Sequence, residues 1–216
     1  MITANDQLDL FRLISNQISK DISCYAFGGT AMMFYGYKDE TKDIDLLFEK
    51  EDDREEFIKA IEKLGFEKSD LIRIYIPEKL RDKNKPLMFT RDEARFDLFV
   101  NKIFRTIISP RMKEDLYAVH EFKNKNTLTV KVLRKEHIVF LKAITERDKD
   151  FEDILTLIRK EKRFDWQYLV EEAIWQHKHG DSWALLDTEK MMKDLKKYVF
   201  IEEKYFKQMY EVVKTK

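Results

Sequence analysis

Between Tyr25 and Lys50 the chain reads YAFGGTAMMFYGYKDETKDIDLLFEK. A short apolar run, CYAF, meets a glycine pair, Gly28 and Gly29, and a helical run, TAMMFYGY, follows. The chain has only five glycines, so two side by side mark a tight turn that tolerates no side chain. Thirteen residues after the pair comes DIDLLFE, which reads as a strand. Asp43 and Asp45 are two apart, so both point to one face of that strand while Ile44 points to the other. Strand, glycine turn, helix, then a strand with paired acids is an order that commits this half of the chain to a mixed α/β arrangement.

The same order has a chemical meaning. Two carboxylates on one strand face repel each other unless a hard cation such as Mg²⁺ sits between them. Free N–H groups at a helix start favour an anion, and Thr30 adds a hydroxyl there. An anion cradle beside a paired-carboxylate site is what a nucleoside triphosphate with its magnesium requires. Taken singly, a glycine pair is most often a turn and an Asp-x-Asp a solvated strand edge. The joint arrangement is the specific signal.

The other elements follow from periodicity. NDQLDLFRLISNQISKDI has Leu10, Leu13, Ile14 and Ile18 at helical spacing, with Asn5 as the expected cap. EDDREEFIKAIEKLG predicts an amphipathic helix with acids in its first turn and Gly65 past its end. DLIRIYI, PLMFT and ARFDLFV predict strands, and NTLTVKVL predicts another after the polar turn KNKN. From Arg134 onward the period is helical throughout. The expected fold is therefore α/β of the α+β kind: a mixed-sheet core over residues 1–134 and a helical C-terminal part over residues 135–216.

Composition narrows the function classes. Hydrophobic residues are 44% and charged residues 38%, a globular rather than disordered balance. Lys+Arg and Asp+Glu are both 41, so any polyanion would have to be met by a local basic cluster. Cys24 is the single cysteine, which excludes an internal disulfide and a cysteine-built zinc site. No apolar run is long enough to span a membrane and the N-terminus is too polar for a secretory signal; a cytoplasmic protein is expected.

Asp97 interrupts the apolar strand ARFDLFV. An acid in such a run is paired, at an edge, or functional. If this strand lies beside the DID strand, Asp43, Asp45 and Asp97 form a three-carboxylate set for two metal ions, and Asp97 can take a hydroxyl proton. Farther on, RDKDFED is a densely charged helix start. Its plain reading is a solvated helix face, with Asp148 or Asp150 as a cap. Its functional reading puts Arg147 and Lys149 on phosphate, with Asp150 orienting them or the acceptor. His177 and His179 are two apart on a helix and read as residues of a helix end. His120 and His137 stand alone and read as structural.

These residues resemble a known superfamily. Phe27-Gly28-Gly29, a spacer, and Asp43-Ile44-Asp45-Leu46 look like the signature of the DNA polymerase β-like nucleotidyltransferases. TKDIDLLF and FLKAITERDKDFEDI resemble the AbiEii-type nucleotidyltransferase toxins more particularly, across Tyr25 to Ile154. The resemblance implies transfer of a nucleotide from an NTP to an acceptor hydroxyl, with release of pyrophosphate. It implies a magnesium site at Asp43, Asp45 and Asp97, with Asp150 also catalytic. Nucleotide contacts would come from Gly28, Gly29, Thr30, Lys42, Lys142, Arg147 and Lys149. It further implies an RNA acceptor such as a tRNA 3′ end, and a cognate antitoxin protein as partner. Where family members carry an Arg four residues before Asp43, this chain has Asp39. Two other classes stay open: a small-molecule nucleotidyltransferase of the aminoglycoside-modifying kind, and a non-catalytic member that binds a nucleotide or a protein partner.

Overall fold

The computed structural model describes residues 1–70, 79, 81–145, 148–161 and 163–214. Most of the strand expected over DLIRIYI, together with Arg147 and Lys162, lies outside the described residues. The chain forms two compact units: unit 1 is Met1–Phe104 with Asp115–Leu133, and unit 2 is Arg105–Glu114 with Arg134–Lys216.

Unit 1 begins with β1 (Ile2–Thr3), α1 (Ala4–Ser15), β2 (Ile22–Ala26), α2 (Gly28–Phe34), β3 (Glu40–Thr41), β4 (Asp43–Phe48) and α3 (Glu51–Lys63). It continues with β5 (Glu67–Ser69), β6 (Leu87–Arg91), β7 (Ala94–Val100) and β8 (Lys102–Ile103). Unit 2 contributes β9 (Thr106–Ile107) and α4 (Pro110–Glu114) before the chain returns as β10 (Leu116–Lys123) and β11 (Thr127–Leu133). The main sheet runs β10-β11-β2-β4-β7-β6-β5. Two of its pairs, β11 with β2 and β4 with β7, are parallel and the others along that path are antiparallel, so the sheet is mixed.

The period of two decides the two faces. Ile44, Leu46 and Phe48 of β4 and Phe96 and Leu98 of β7 face one core. Phe11 and Ile14 of α1 and Phe57, Ala60 and Ile61 of α3 complete it. Every one of these is buried, so replacing a ring such as Phe57 by Ala would cost roughly 3–5 kcal/mol. Asp43, Asp45, Arg95 and Asp97 occupy the alternate positions and face away from this core. Cys24 sits in the core, where burial pushes its thiol pKa up and leaves it inert.

The cap of α1 differs from the sequence expectation. Thr3, not Asn5, is the N-cap: its Oγ1 accepts from Asp6 N–H at 3.2 Å while the Asp6 carboxylate accepts from Thr3 N–H at 2.9 Å. This reciprocal pair satisfies two helix-start donors and outcompetes the Asn two residues later. Leu13 stands on the outer face at 49% exposure rather than in the stripe.

Unit 2 holds α5 (Lys135–Thr145), α6 (Asp148–Lys160), α7 (Trp166–Lys178), α8 (Ala184–Leu195) and α9 (Glu203–Lys214). Arg105–Glu114, within the span expected for the core, groups with these helices. Buried polar bonds hold it there. Thr106 donates to Asp181 at 2.6 Å, Ser109 donates to Glu172 at 3.0 Å, and Gln176 both donates to Ile107 O at 2.7 Å and accepts from its N–H at 3.2 Å. Among the described residues, no helix is long and apolar enough to cross a membrane.

Glu172 makes this seam sensitive to pH. Burial raises its carboxyl pKa above the ordinary 4.5, against the opposing pull of bonds from Gln176 and Ser109 and the charge of Arg111. The folded chain then holds the Glu172 proton where the unfolded chain has lost it. Stability therefore falls as pH rises from 4.5 towards the raised value. Glu172→Gln is expected to flatten that fall. Urea unfolding midpoints of the two proteins across pH 4–8 check it; parallel profiles would refute it.

Candidate active site

Parallel pairing of β4 with β7 places Asp43 opposite Arg95, Ile44 opposite Phe96, and Asp45 opposite Asp97. Partners at the same register point to the same face. The strand adjacency on which the three-acid reading depended is thus present, and Asp43, Asp45 and Asp97 share one face of two neighbouring strands. Asp45 and Asp97 are buried, at 3% and 0% exposure, and Asp43 is partly open.

The glycine turn is built against Asp45. Gly28 has φ +56°, in the left-handed region, and a Cβ placed on it would lie 2.3 Å from Asp45 Oδ2 and 3.0 Å from Cγ. Both the backbone angle and the space exclude a side chain. A Cβ on Gly29 would meet Thr41 Oγ1 at 2.8 Å, with Lys38 Nζ 4.0 Å away. The residues flanking the pair clamp the backbone of Asp45: Phe27 N–H donates to Asp45 O at 3.4 Å, and Asp45 N–H donates to Thr30 Oγ1 at 2.8 Å. β2 has turned into α2 at this level, so the Thr30 hydroxyl replaces the strand carbonyl that the turn removed. Thr30 is fully buried and its oxygen is engaged with β4. Lys42 is exposed just before Asp43, and its carbonyl accepts from Arg95 N–H at 3.1 Å.

Arg95 is the residue that sequence reasoning passed over. Its Nη2 lies 2.6 Å from Asp43 Oδ2, and its Nε and Nη2 donate to Asp97 at 2.8 and 3.2 Å. Burial pulls the Arg95 pKa down, but Asp97 and then Asp43 outweigh that and hold it above its ordinary value. The signal was available: Arg-x-Asp within a strand puts the two side chains on one face.

Oxygen-only carboxylate donors are the chemistry a hard divalent ion prefers. A cation already stands among them in the form of the Arg95 guanidinium, so this face is electrostatically suited to positive charge. Among the described residues, no group of three or more His, Cys, Asp or Glu side chains is arranged to hold a metal ion. Asp43 Oδ2 and both oxygens of Asp97 are turned to the arginine.

In unit 2 the residues of the second motif form a knot. Lys142 Nζ lies 3.0 Å from Asp150 Oδ1 and 2.7 Å from Asp153 Oδ2, and Thr145 donates to Asp150 Oδ2 at 2.6 Å. Lys142 and Asp150 are buried, whereas Lys149 is exposed. The knot joins the end of α5 to the start of α6. His177 lies in the last turn of α7 and His179 caps it, and His137 is buried 3.8 Å from Glu172.

A cavity of about 590 Å³ opens elsewhere on unit 1, lined by Gln7, Leu8, Met33, Phe34, His120 and Phe122 among others. Its lining includes none of Asp43, Asp45 and Asp97. Cavity size says where something fits, whereas the clustered charge says where chemistry can occur, and the acid face is the stronger candidate.

No protein-family model matches the chain. No curated protein matches it either. Among solved structures it is similar to a solution structure of the antibiotic-resistance factor ANT(2'')-Ia, at 14% identity over 73% of this chain and 82% of that chain, with a TM-score of 0.44. It is also similar to a crystal structure of ANT(2'')-Ia in complex with adenylyl-2''-tobramycin, at 12% identity over 81% of this chain and 99% of that one, with a TM-score of 0.46.

The contact between Gly28 and Asp45 gives a direct test. Gly28→Ala is expected to destabilise unit 1 by about 2 kcal/mol or more, from left-handed backbone strain of roughly 1–2 kcal/mol plus displacement of Asp45. Urea denaturation measures it; a variant as stable as wild type would show that the turn is not fitted to the acid.

Proposed function

We propose that unit 1 carries the catalytic centre of a magnesium-dependent nucleotidyltransferase, which moves an NMP from an NTP to an acceptor hydroxyl and releases pyrophosphate. The observation that supports this reading most is the register of β4 and β7. It sets Asp45 beside Asp97, with Asp43 on the same face and the Gly28-Gly29 turn packed on Asp45. Asp43, Asp45 and Asp97 would hold the ions. When bound, a divalent ion there supplies charge neutralisation of the phosphates and activation of the attacking oxygen. Gly28 and Gly29 let the triphosphate approach the backbone closely. Thr30 acts through Asp45, fixing its backbone, and Lys38 and Lys42 carry positive charge beside the turn. A carboxylate of this face takes the proton of the acceptor hydroxyl. Lys142, Lys149 and Asp150 belong to unit 2, where Lys142 and Thr145 hold Asp150.

For the acceptor, the likeness of TKDIDLLF and of the Lys142–Asp153 segment to AbiEii-type toxins supports RNA, such as a tRNA 3′ end, with an antitoxin protein as partner. Exposed Lys149, Arg159, Lys160 and Arg163 are its basic candidates. One observation favours a small-molecule acceptor instead. Lys193, Lys196 and Lys197, also candidates for a polyanion, are each paired with an acid: Glu189, Glu203 and Asp194 respectively. Paired lysines release fewer counterions and attract RNA less.

Asp45→Asn should lower transfer by about 10²-fold or more, because an ion's contribution is several kcal/mol and roughly 1.4 kcal/mol is tenfold. Incubating the protein with each labelled NTP, Mg²⁺ and total tRNA, and in parallel with an aminoglycoside panel, tests both levels. Labelling that needs Mg²⁺ and vanishes in Asp45→Asn is the expected result. RNA labelling that weakens steeply with salt supports the RNA acceptor, labelling of the small molecules alone overturns it, and no labelling of either refutes nucleotidyl transfer to these acceptors.

A further inference from the structure

The Arg95 side chain is only 14% exposed, and it makes a two-pronged contact with fully buried Asp97 and a short one with Asp43. Those oxygens belong to two of the three carboxylates of the proposed metal site. A magnesium ion bound at ~2.0–2.1 Å to Asp43 Oδ2 or Asp97 Oδ1 would stand next to the guanidinium that these oxygens already meet at 2.6–2.8 Å. Two cations sharing one small buried face also repel strongly. We propose that Arg95 is an internal counter-cation: it holds Asp43 and Asp97 in the ion-free protein and competes with the divalent ion for them. This rests on the reading of the three acids as a metal site.

The physical logic is one of exchange. Buried Asp97 needs a positive partner in every state of the protein, because an unpaired buried carboxylate is severely penalised. Arg95 supplies it when no ion is bound. As the ion arrives, the guanidinium gives up at least one of its carboxylates, and its charge becomes available to the incoming phosphates. Arg rather than Lys suits the role, since its planar fork grips Asp97 through two donors and keeps its charge when buried. The arrangement makes the acid face stable without metal and weakens metal binding by the strength of the Arg95 contacts.

The test uses Mn²⁺ alone, without nucleotide, on the full chain. Calorimetric titration of wild type, Arg95→Lys and Arg95→Gln is paired with thermal unfolding in EDTA and in saturating Mn²⁺. Arg95→Gln is expected to be less stable than wild type in EDTA and to bind Mn²⁺ at least about tenfold tighter. It should also gain more melting temperature from the ion, with Arg95→Lys intermediate. Mn²⁺ affinity unchanged or weaker in Arg95→Gln overturns the counter-cation role while leaving the metal site standing. No Mn²⁺ binding by wild type or either variant removes the metal site and the proposal together. If Arg95→Gln does not fold, the wild-type protein still decides. The arginine Nε–H resonance that disappears in Arg95→Lys should shift on Mg²⁺ saturation, and a resonance unmoved by Mg²⁺ overturns the proposal.

Discussion

The in-register parallel pairing of β4 with β7 is the constraint on which the rest of unit 1 depends. It sets Asp45 against Asp97 and Asp43 against Arg95 on one face, and Ile44, Leu46 and Phe48 against Phe96, Leu98 and Val100 on the other. A slip of one residue would exchange the two sets and send the acids into the hydrophobic core. Burial of Phe96 and Leu98 therefore enforces the register that concentrates the carboxylates. The apolar face specifies the geometry, and the polar face carries the electrostatic strain. Arg95 relieves that strain within the chain itself.

Elements governed by local pattern were legible in the sequence. The strand carrying Asp43 and Asp45, the helix Glu51–Lys63 and the strand carrying Asp97 all follow from periods of two and 3.6. The glycine pair was legible as a tight turn, and its reason is now specific: the Asp45 carboxylate fills the space a Cβ would need. Features that depend on distant partners were not legible. Arg95 shares a strand face with Asp97 two residues on, but its contact with Asp43 exists only because β4 pairs with β7. Thr30 read as a hydroxyl free at a helix start, whereas it completes the hydrogen bonding of a strand that its own turn left short. The placement of Arg105–Glu114 rests on bonds to residues far along the chain, which no local pattern encodes.

The two motifs of the resemblance have different physical characters. The first is a charged face held in place by an apolar one. The second, around buried Lys142 and Asp150 and half-buried Asp153, is an ion triad at a helix junction. Burying charges together is costly unless each is satisfied, and Thr145 supplies the additional donor that Asp150 needs. A lysine held by two acids gives α5 and α6 a fixed mutual orientation, which an apolar contact of equal area would specify less sharply.

The segment Arg105–Glu114 also bears on how the molecule is made. The chain leaves unit 1 after Phe104, returns at Asp115 and leaves again after Leu133. On the ribosome, Ser109 emerges 63 residues before Glu172, and Thr106 emerges 75 residues before Asp181. The partners of Thr106 and Ser109 are thus made only after the last strand of unit 1, so these bonds cannot form before α7 and Asp181 exist. Such distant pairings are slow to form. A break at residue 134 would strand that segment with the wrong half and deprive α7 of its buried partners. The helical unit is therefore not one run of sequence: its segment Arg105–Glu114 comes, in chain order, between two stretches of unit 1.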